Sequence, residues 1–396
     1  MTVTASRSQW IAELDRRPLV IGAVVVACGY LPLTLLGPGT DLDVGSVYQS
    51  GRAILEGGYE ASRPPGAPVH EFGTGLLHAI GGSFLANLAS VVAAVVTALG
   101  VTRLVQREGG TWAGWFGLAV ILNPFVWIAG TSMVDFLWAT AFVLVGANLQ
   151  LSRRLPAAAV CYALAAGCRA STLLVVGAFI VADMWGDPGV RRRLVTLGAA
   201  VAVLTVLVYL PPLLQLGSDI SRSAPQTAPW YVQLGRFGAK NIYFFGPVAL
   251  VLLASVAVRR WRDLLGSLST STVARAGLIG FVAVELLFLR FPWKLAHLIP
   301  AFVCVLVILG AARLLGRRGL AVLIASQLLL SVVALNVAQP DQPDDATGGR
   351  VSIELLEGPL LRDVRCRLDA DRSAYRAPEG VGALLDTWAC VVPWSE

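Results

Sequence analysis

Apolar stretches of about 17 to 25 residues, rich in Leu, Val and Ala, follow one another along nearly the whole chain, and that recurrence restricts its fold more than any other feature. In hydrocarbon every backbone N–H and C=O must be satisfied within the structure, which leaves helices and closed barrels. The runs are unbroken and lack the two-residue alternation of a barrel strand, so helices are expected. With 56% hydrophobic and only 14% charged residues over 396 positions, and a mean hydropathy of +0.69, the chain does not suit one water-soluble core. The expected fold is all-α, a polytopic transmembrane helical bundle of about eleven spans. The spans fall near 19–36, 84–105, 112–130, 132–151, 155–168, 171–186, 194–214, 241–258, 273–290, 297–315 and 320–338.

Threaded this way, Arg16, Arg17, Arg103, Arg107, Arg153, Arg154, Arg191 to Arg193, Arg259, Arg260, Arg262, Arg317 and Arg318 fall on one side, which the positive-inside bias makes cytoplasmic. The expected localisation is a multi-pass cell-membrane protein with its amino terminus inside and its carboxyl terminus outside. The 37–82 loop, the 215–240 loop, the 290–297 turn and the tail from about 339 then face outward. The net charge of +6 is mostly a topology signal and gives no reason to expect a nucleic-acid partner. Arg16 and Arg17, an apolar run and Val25-Val26-Ala27-Cys28 also fit a lipoprotein signal peptide, but removing that segment would upset the charge asymmetry that the later spans obey. The first span is therefore expected to stay.

Two domains are expected: a membrane domain, 1–338, whose 37–82 outward loop carries chemistry, and a small extracytoplasmic tail, 339–396. Cys28, Cys161, Cys168 and Cys304 lie within spans and read as small apolar fillers. Cys366 and Cys390 lie in the outward tail, where a disulfide can persist, and are expected to pair and staple a domain too short for much core of its own. No Cys-x-x-Cys or His-Glu-x-x-His spacing exists, and His70, His78 and His297 are scattered, so no metal-ligand set is expected.

Polar residues gather on the outward segments. Asp41 and Asp43 stand just past the first span, with Asp43 placed to cap a helix over about 44–56 that Gly57-Gly58 ends. The glycine-rich 71–82 stretch suits an interfacial or re-entrant piece. Arg63-Pro64-Pro65-Gly66 reads as a rigid turn that holds an arginine toward a cavity, with His70 and Glu71 following as hydrogen-bonding candidates. Only 14 residues, Leu155 to Cys168, precede Arg169, about 21 Å of helix at 1.5 Å per residue, so Arg169 is expected inside the outer half of the membrane, where ionisable groups face a cavity or a partner. The only two lysines, Lys240 and Lys294, fall on the outer side with Arg222, Arg236, Arg290 and His297, against the positive-inside bias, which suits an anionic ligand. Each of these residues also has a plain structural reading, as helix cap, surface turn or headgroup anchor.

Asp41-Leu42-Asp43-Val44, Tyr48, Arg52 to Tyr59 and Arg63-Pro64-Pro65-Gly66-Ala67-Pro68 resemble the first outward loop of the GT-C superfamily, polytopic glycosyltransferases that use polyprenyl-phosphate sugars. Motif-level similarity covers about 41–70; elsewhere Arg169-Ala170-Ser171 and the helix opened by Lys294 to Pro300 are similar in style. The resemblance implies an inverting transfer of a hexosyl or pentosyl group to a hydroxyl of a lipid, glycan or protein acceptor on the outer face. It implies Asp43 as the base, with Asp41 second, and Tyr48, Arg63, His70, Glu71, Arg169, Arg222, Lys240, Arg290, Lys294 and His297 as substrate-binding residues. No cofactor is implied, although an Asp-x-Asp pair also invites a divalent ion such as Mg²⁺ or Mn²⁺. The tail of about 58 residues is shorter than the soluble domains of several relatives, so no acceptor module carries over. Competing readings are a transporter or flippase of a lipid-linked or anionic substrate and a non-catalytic membrane subunit. The absence of a repeat and the one-sided polar groups disfavour a transporter.

Overall fold

A computed structural model describes residues 16–41, 43–217, 229–337 and 351–368. The first apolar run forms α1 (Arg16–Val25), a π-helical turn (Val26–Tyr30) and α2 (Leu31–Thr34). The loop that follows folds into α3 (Asp43–Leu55), and α4 (Pro68–Arg107) then runs for 40 residues. The glycine-rich 71–82 stretch is helical up to a break at its end, so residues 68–80 form a piece set apart from the rest of α4. Gly81 and Gly82 leave helical geometry, Gly82 at φ +62°, and kink α4 where its membrane half begins.

The expected 112–130 span is a broken pair, α5 (Ala113–Ile121) and α6 (Pro124–Gly130), bent by 65°. Asn123 makes the break, since the Pro124 ring cannot continue α5 and the Asn123 side chain accepts hydrogen bonds from Phe125 N and Val126 N at 3.0 and 3.1 Å. The next span opens four residues late. Thr131–Asp135 forms a non-helical turn, and α7 (Phe136–Leu151) starts only after it. α8 (Leu155–Cys168) returns antiparallel against α7, so Asp135 and Arg169 come to the same end of the bundle.

α9 (Leu173–Gly186), α10 (Arg191–Leu216), α14 (Thr272–Arg290) and α15 (Ile299–Ala311) match expected spans. The expected 241–258 span is instead the second arm of a bent pair, α11 (Trp230–Phe245) and α12 (Pro247–Arg259), at 94°, followed by the amphipathic α13 (Trp261–Thr270). Gly246, at φ +80°, makes that corner. The last expected span ends early: α16 (Arg317–Val332) passes into β1 (Val333–Val337), which pairs antiparallel with β2 (Val351–Leu355) before α17 (Pro359–Leu368). β-branched Val333 leaves helical geometry, at φ −108° and ψ 126°, where α16 meets the tail, so a short ribbon joins an otherwise helical fold.

The membrane core centres on α15, in which every residue but Pro300 is buried. A helix that is apolar on all faces belongs inside a bundle, and this one packs against α14, α4, α5 and α7. Its amino end, entered through a 3₁₀ turn (Leu295–Leu298), carries Lys294 and His297 to the end of the molecule that also holds Asp135 and Arg169. Glycine contact seats α3 on α4: a Cβ on Gly51 would stand 2.7 Å from the Gly75 Cα, and one on Gly75 would stand 2.6 Å from the Gly51 carbonyl oxygen. That contact holds the second half of α3 against α4.

Candidate active site

At the end of the bundle where α3, the α6–α7 turn, the end of α8 and the start of α15 meet, three carboxylates and three cations alternate in an unbroken chain. Lys294 Nζ lies 2.7 Å from Asp41 Oδ1 and 2.8 Å from Asp43 Oδ1. Arg63 donates one arm to Asp43 Oδ2 at 2.8 Å and the other to Asp135 Oδ2, and Arg169 donates to both Asp135 oxygens at 3.1 and 3.2 Å. Formal charges within the six cancel. Each carboxylate therefore has a cation on at least one side, which is what allows Asp41 and Asp135 to be buried.

Local structure explains how each member arrives. Asp41 Oδ1 accepts from Asp43 N at 2.8 Å, so Asp41, not Asp43, caps α3. Asp43 is left at the first helical position with its carboxylate free for Lys294 and Arg63. The expected capping role thus moves two residues upstream, because an Asx-type turn satisfies the first α3 amide. Arg63 sits in a turn closed by Gly66 N donating to Arg63 O at 2.5 Å, with Gly66 at φ +92° and the Tyr59 hydroxyl 2.2 Å from where a Cβ would be. Glu71 anchors this loop by accepting from Tyr59 Oη at 2.5 Å, Ser62 N at 2.9 Å and Ser62 Oγ at 2.5 Å. Tyr209 of α10 closes it from above, donating to Gly66 O and Ala166 O at 3.2 and 3.0 Å. Arg169 lies 4.1 Å over the Phe136 ring, a cation–π contact that adds to its ion pair.

Burial alone would push the Asp43 carboxyl upward, but Lys294 and Arg63 outweigh it and hold the group below the usual carboxylate range. Burial works against the Lys294 ammonium in the same way, and Asp41 and Asp43 outweigh it and raise the group above its ordinary value. Arg63 is raised as well, with Asp135 and Asp43 overcoming desolvation.

Of the residues singled out in the sequence, Asp41, Asp43, Arg63, Arg169 and Lys294 are brought together. His297 stands beside them, its ring 5.5 Å from that of Phe136. His70 is buried, edge-on to Trp138 at 5.2 Å and 3.3 Å from Thr74 Oγ1. Glu71 is buried in the loop anchor, and Tyr48 stands edge-on to His78 at 4.7 Å. Lys240 is buried and donates to Trp293 O, while Arg290 is exposed with its guanidinium 5.0 Å from the Phe291 ring. Arg222 lies outside the described residues. Lys294 Nζ stands between the carboxylates of Asp41 and Asp43, the pair that the sequence offers to a divalent cation. Among the described residues no three His, Cys, Asp or Glu side chains gather to hold a metal.

Sequence reading missed Asp135, the completely buried carboxylate that links Arg63 to Arg169. Its signal was available: a lone carboxylate in an apolar run about 20 residues long requires a partner at membrane depth. It also missed Tyr59 and Ser62, because a loop anchor has no spacing rule.

The apolar helices define a multi-pass membrane protein built as a helical bundle. Its fold is similar to that of ArnT from Cupriavidus metallidurans in the apo state, at a TM-score of 0.53 with 14% sequence identity, over 78% of this chain and 60% of that one. At that identity the likeness concerns the fold, and the chain spans about 60% of the length of the protein it matches. No protein-family model matches the sequence, and neither does any curated protein.

Proposed function

We propose that the chain is an inverting glycosyltransferase that moves a sugar from a polyprenyl-phosphate donor to a hydroxyl acceptor on the outer face of the membrane. The observation that carries this reading is the position of Asp43, a carboxylate held between Lys294 and Arg63 at one end of a bundle similar in fold to ArnT. A base and a cluster of cations next to lipid are what transfer from a lipid phosphate requires. The acceptor hydroxyl attacks the anomeric carbon while Asp43 takes its proton. The bond from that carbon to the phosphate oxygen breaks with its electron pair going to the phosphate, whose charge Lys294, Arg63 and Arg169 stabilise. Attack from the face opposite the leaving phosphate inverts the anomeric centre.

The ion chain adds a condition to this mechanism. Asp43 neutralised by two cations is a poor base, and a donor phosphate competes for those cations. Donor binding therefore frees Asp43 and raises its basicity, which couples deprotonation to the presence of the leaving group.

The test replaces Asp43 and Asp41 separately by Asn and assays transfer from a polyprenyl-phosphate sugar in reconstituted vesicles. Loss of about 10²–10⁴-fold in kcat is expected for D43N, the range for a general base. Undiminished product from both variants would sink the proposal. Movement of the labelled lipid across the bilayer without any transfer would instead favour a flippase.

A further inference from the structure

The small tail reaches back into the bundle through a buried ion pair. In α17, Asp363 and Arg367 are one helical turn apart, both side chains completely buried, and Arg367 Nε donates to Asp363 Oδ2 at 2.9 Å. α17 docks on α6 and α16. From there the pair reaches two separate segments. Thr40 Oγ1 donates to Asp363 Oδ1 at 2.5 Å. The Arg367 guanidinium donates to Thr131 O at 2.9 Å, Thr131 Oγ1 at 3.2 Å, Ser132 Oγ at 2.9 Å and Leu33 O at 3.2 Å.

Those contacts fall on the two turns that carry carboxylates of the candidate site. Thr40 directly precedes Asp41, and Thr131-Ser132 opens the non-helical turn that ends at Asp135. The turns are also tied to each other: Met133 N donates to Pro38 O at 3.0 Å, and Gly39, at φ +113°, packs so closely that a Cβ would lie 2.5 Å from Ser132 Oγ. Both turns lack the helical hydrogen bonds that would fix them independently. A guanidinium has five donors in a fixed plane, so one Arg367 can hold several acceptors from separate segments at set angles.

We propose that Arg367 and Asp363 are positioning residues for the candidate site: the tail helix clamps the 37–41 and 131–135 turns and so sets the separation of Asp41 and Asp135 along the ion chain. The inference rests on the proposed transferase reading only for its kinetic consequence. The clamp itself is measurable without any reaction.

The test uses the full chain in lipid nanodiscs, with Arg367→Gln, Arg367→Lys and Asp363→Asn compared with wild type. Hydrogen–deuterium exchange should rise at least 10-fold in peptides covering 37–43 and 131–135 for R367Q and D363N, while peptides from α15 keep wild-type exchange. In the transfer assay, kcat should fall about 10- to 100-fold with the donor KM changed less than three-fold, since a shift of about 1 Å in catalytic groups has that order of effect. R367K, which keeps charge but loses the planar fork, should recover exchange protection in part. Wild-type exchange in both turns with R367Q would overturn the clamp whatever the kinetics show. Loosened turns with unchanged kcat would overturn the positioning role. Inactivity of wild type with every polyprenyl-phosphate sugar would count against the transferase reading alone, because the exchange arm would still report on the clamp. If R367Q does not fold, the isosteric D363N carries the same two readouts.

Discussion

At the scale of single residues, the chemistry turns on how Lys294 and Arg63 share Asp43. The carboxyl lies below its ordinary range, so the stability it contributes is present above the unfolded value of about 3.9 and is lost as pH falls through the lower folded value. The Lys294 ammonium is raised, so its contribution is present below about 10.4 and is lost only as pH rises through the higher folded value. Between those limits Asp43 and Lys294 stay charged. The pH profile of kcat/KM, which reports the donor-free protein, should therefore show no acid limb from Asp43 between about pH 7 and 5, a window above the ordinary carboxylate value. Lys294→Gln should move the acid limb upward, because it removes the larger of the two cationic effects on Asp43. Unchanged profiles for wild type and K294Q would show that another group titrates. Asp135 makes a different prediction. Replacing it by Asn leaves Arg63 and Arg169 facing each other with no shared carboxylate, and loss of one partner of a buried pair costs about 3–5 kcal/mol. The melting temperature of D135N in detergent should fall well below that of D43N, whose side chain is a quarter exposed. Asp41, Asp43, Arg63, Arg169 and Lys294 were all legible in the sequence as odd polar groups beside lipid. Their pairing was not, because it is set by where four separate helices begin and end.

At the scale of elements, helix positions were legible because apolar runs mark them, and helices occupy each of the eleven expected stretches; among the described residues four helices, or six counting each bent pair as one, are long and apolar enough to cross a membrane. The misreadings fall at Asn123-Pro124, Thr131 to Asp135, Gly246 and Val332-Val333. At each, one local conformation breaks a helix inside a continuous apolar run, where hydropathy carries no signal. The seating of α3 on α4 was equally invisible, because Gly51 and Gly75 are 24 residues apart and neither shows a motif. That contact predicts a sharp contrast between glycines. Gly75→Val drives side-chain atoms into the α3 backbone, and overpacking of this kind costs about 1–3 kcal/mol. It should also tilt α3 away and separate Asp43 from Lys294, so donor binding should weaken along with stability. Gly177→Ala, in α9, meets no atom within 4 Å and should change the melting free energy by less than about 0.5 kcal/mol. Equal effects from the two variants, read by thermal unfolding in detergent, would remove the glycine contact as the device that positions α3.

Across the whole molecule, the candidate site is held from both ends of the sequence: α3 follows the first span, and α17 returns some 320 residues later to clamp the same turns. The tail is small, so its docking needs support beyond its own core. Cys366, adjacent to Arg367 and buried, is disulfide-bonded, whereas Cys28, Cys161, Cys168 and Cys304 are free; its expected partner, Cys390, lies outside the described residues. Removing a disulfide from a small domain typically costs about 2–5 kcal/mol. The other four cysteines have no bond to lose, so a reductant acts on the described part of the molecule through Cys366 alone. Dithiothreitol, or Cys366→Ser, should therefore raise hydrogen exchange first in 359–368 and then in the 37–41 and 131–135 turns, with little change in α15. Transfer activity should fall in parallel and return on reoxidation of the wild type but not of C366S. Activity that ignores the reductant while α17 loosens would show that the Asp363–Arg367 pair holds the turns without the disulfide, and would separate the covalent staple from the clamp.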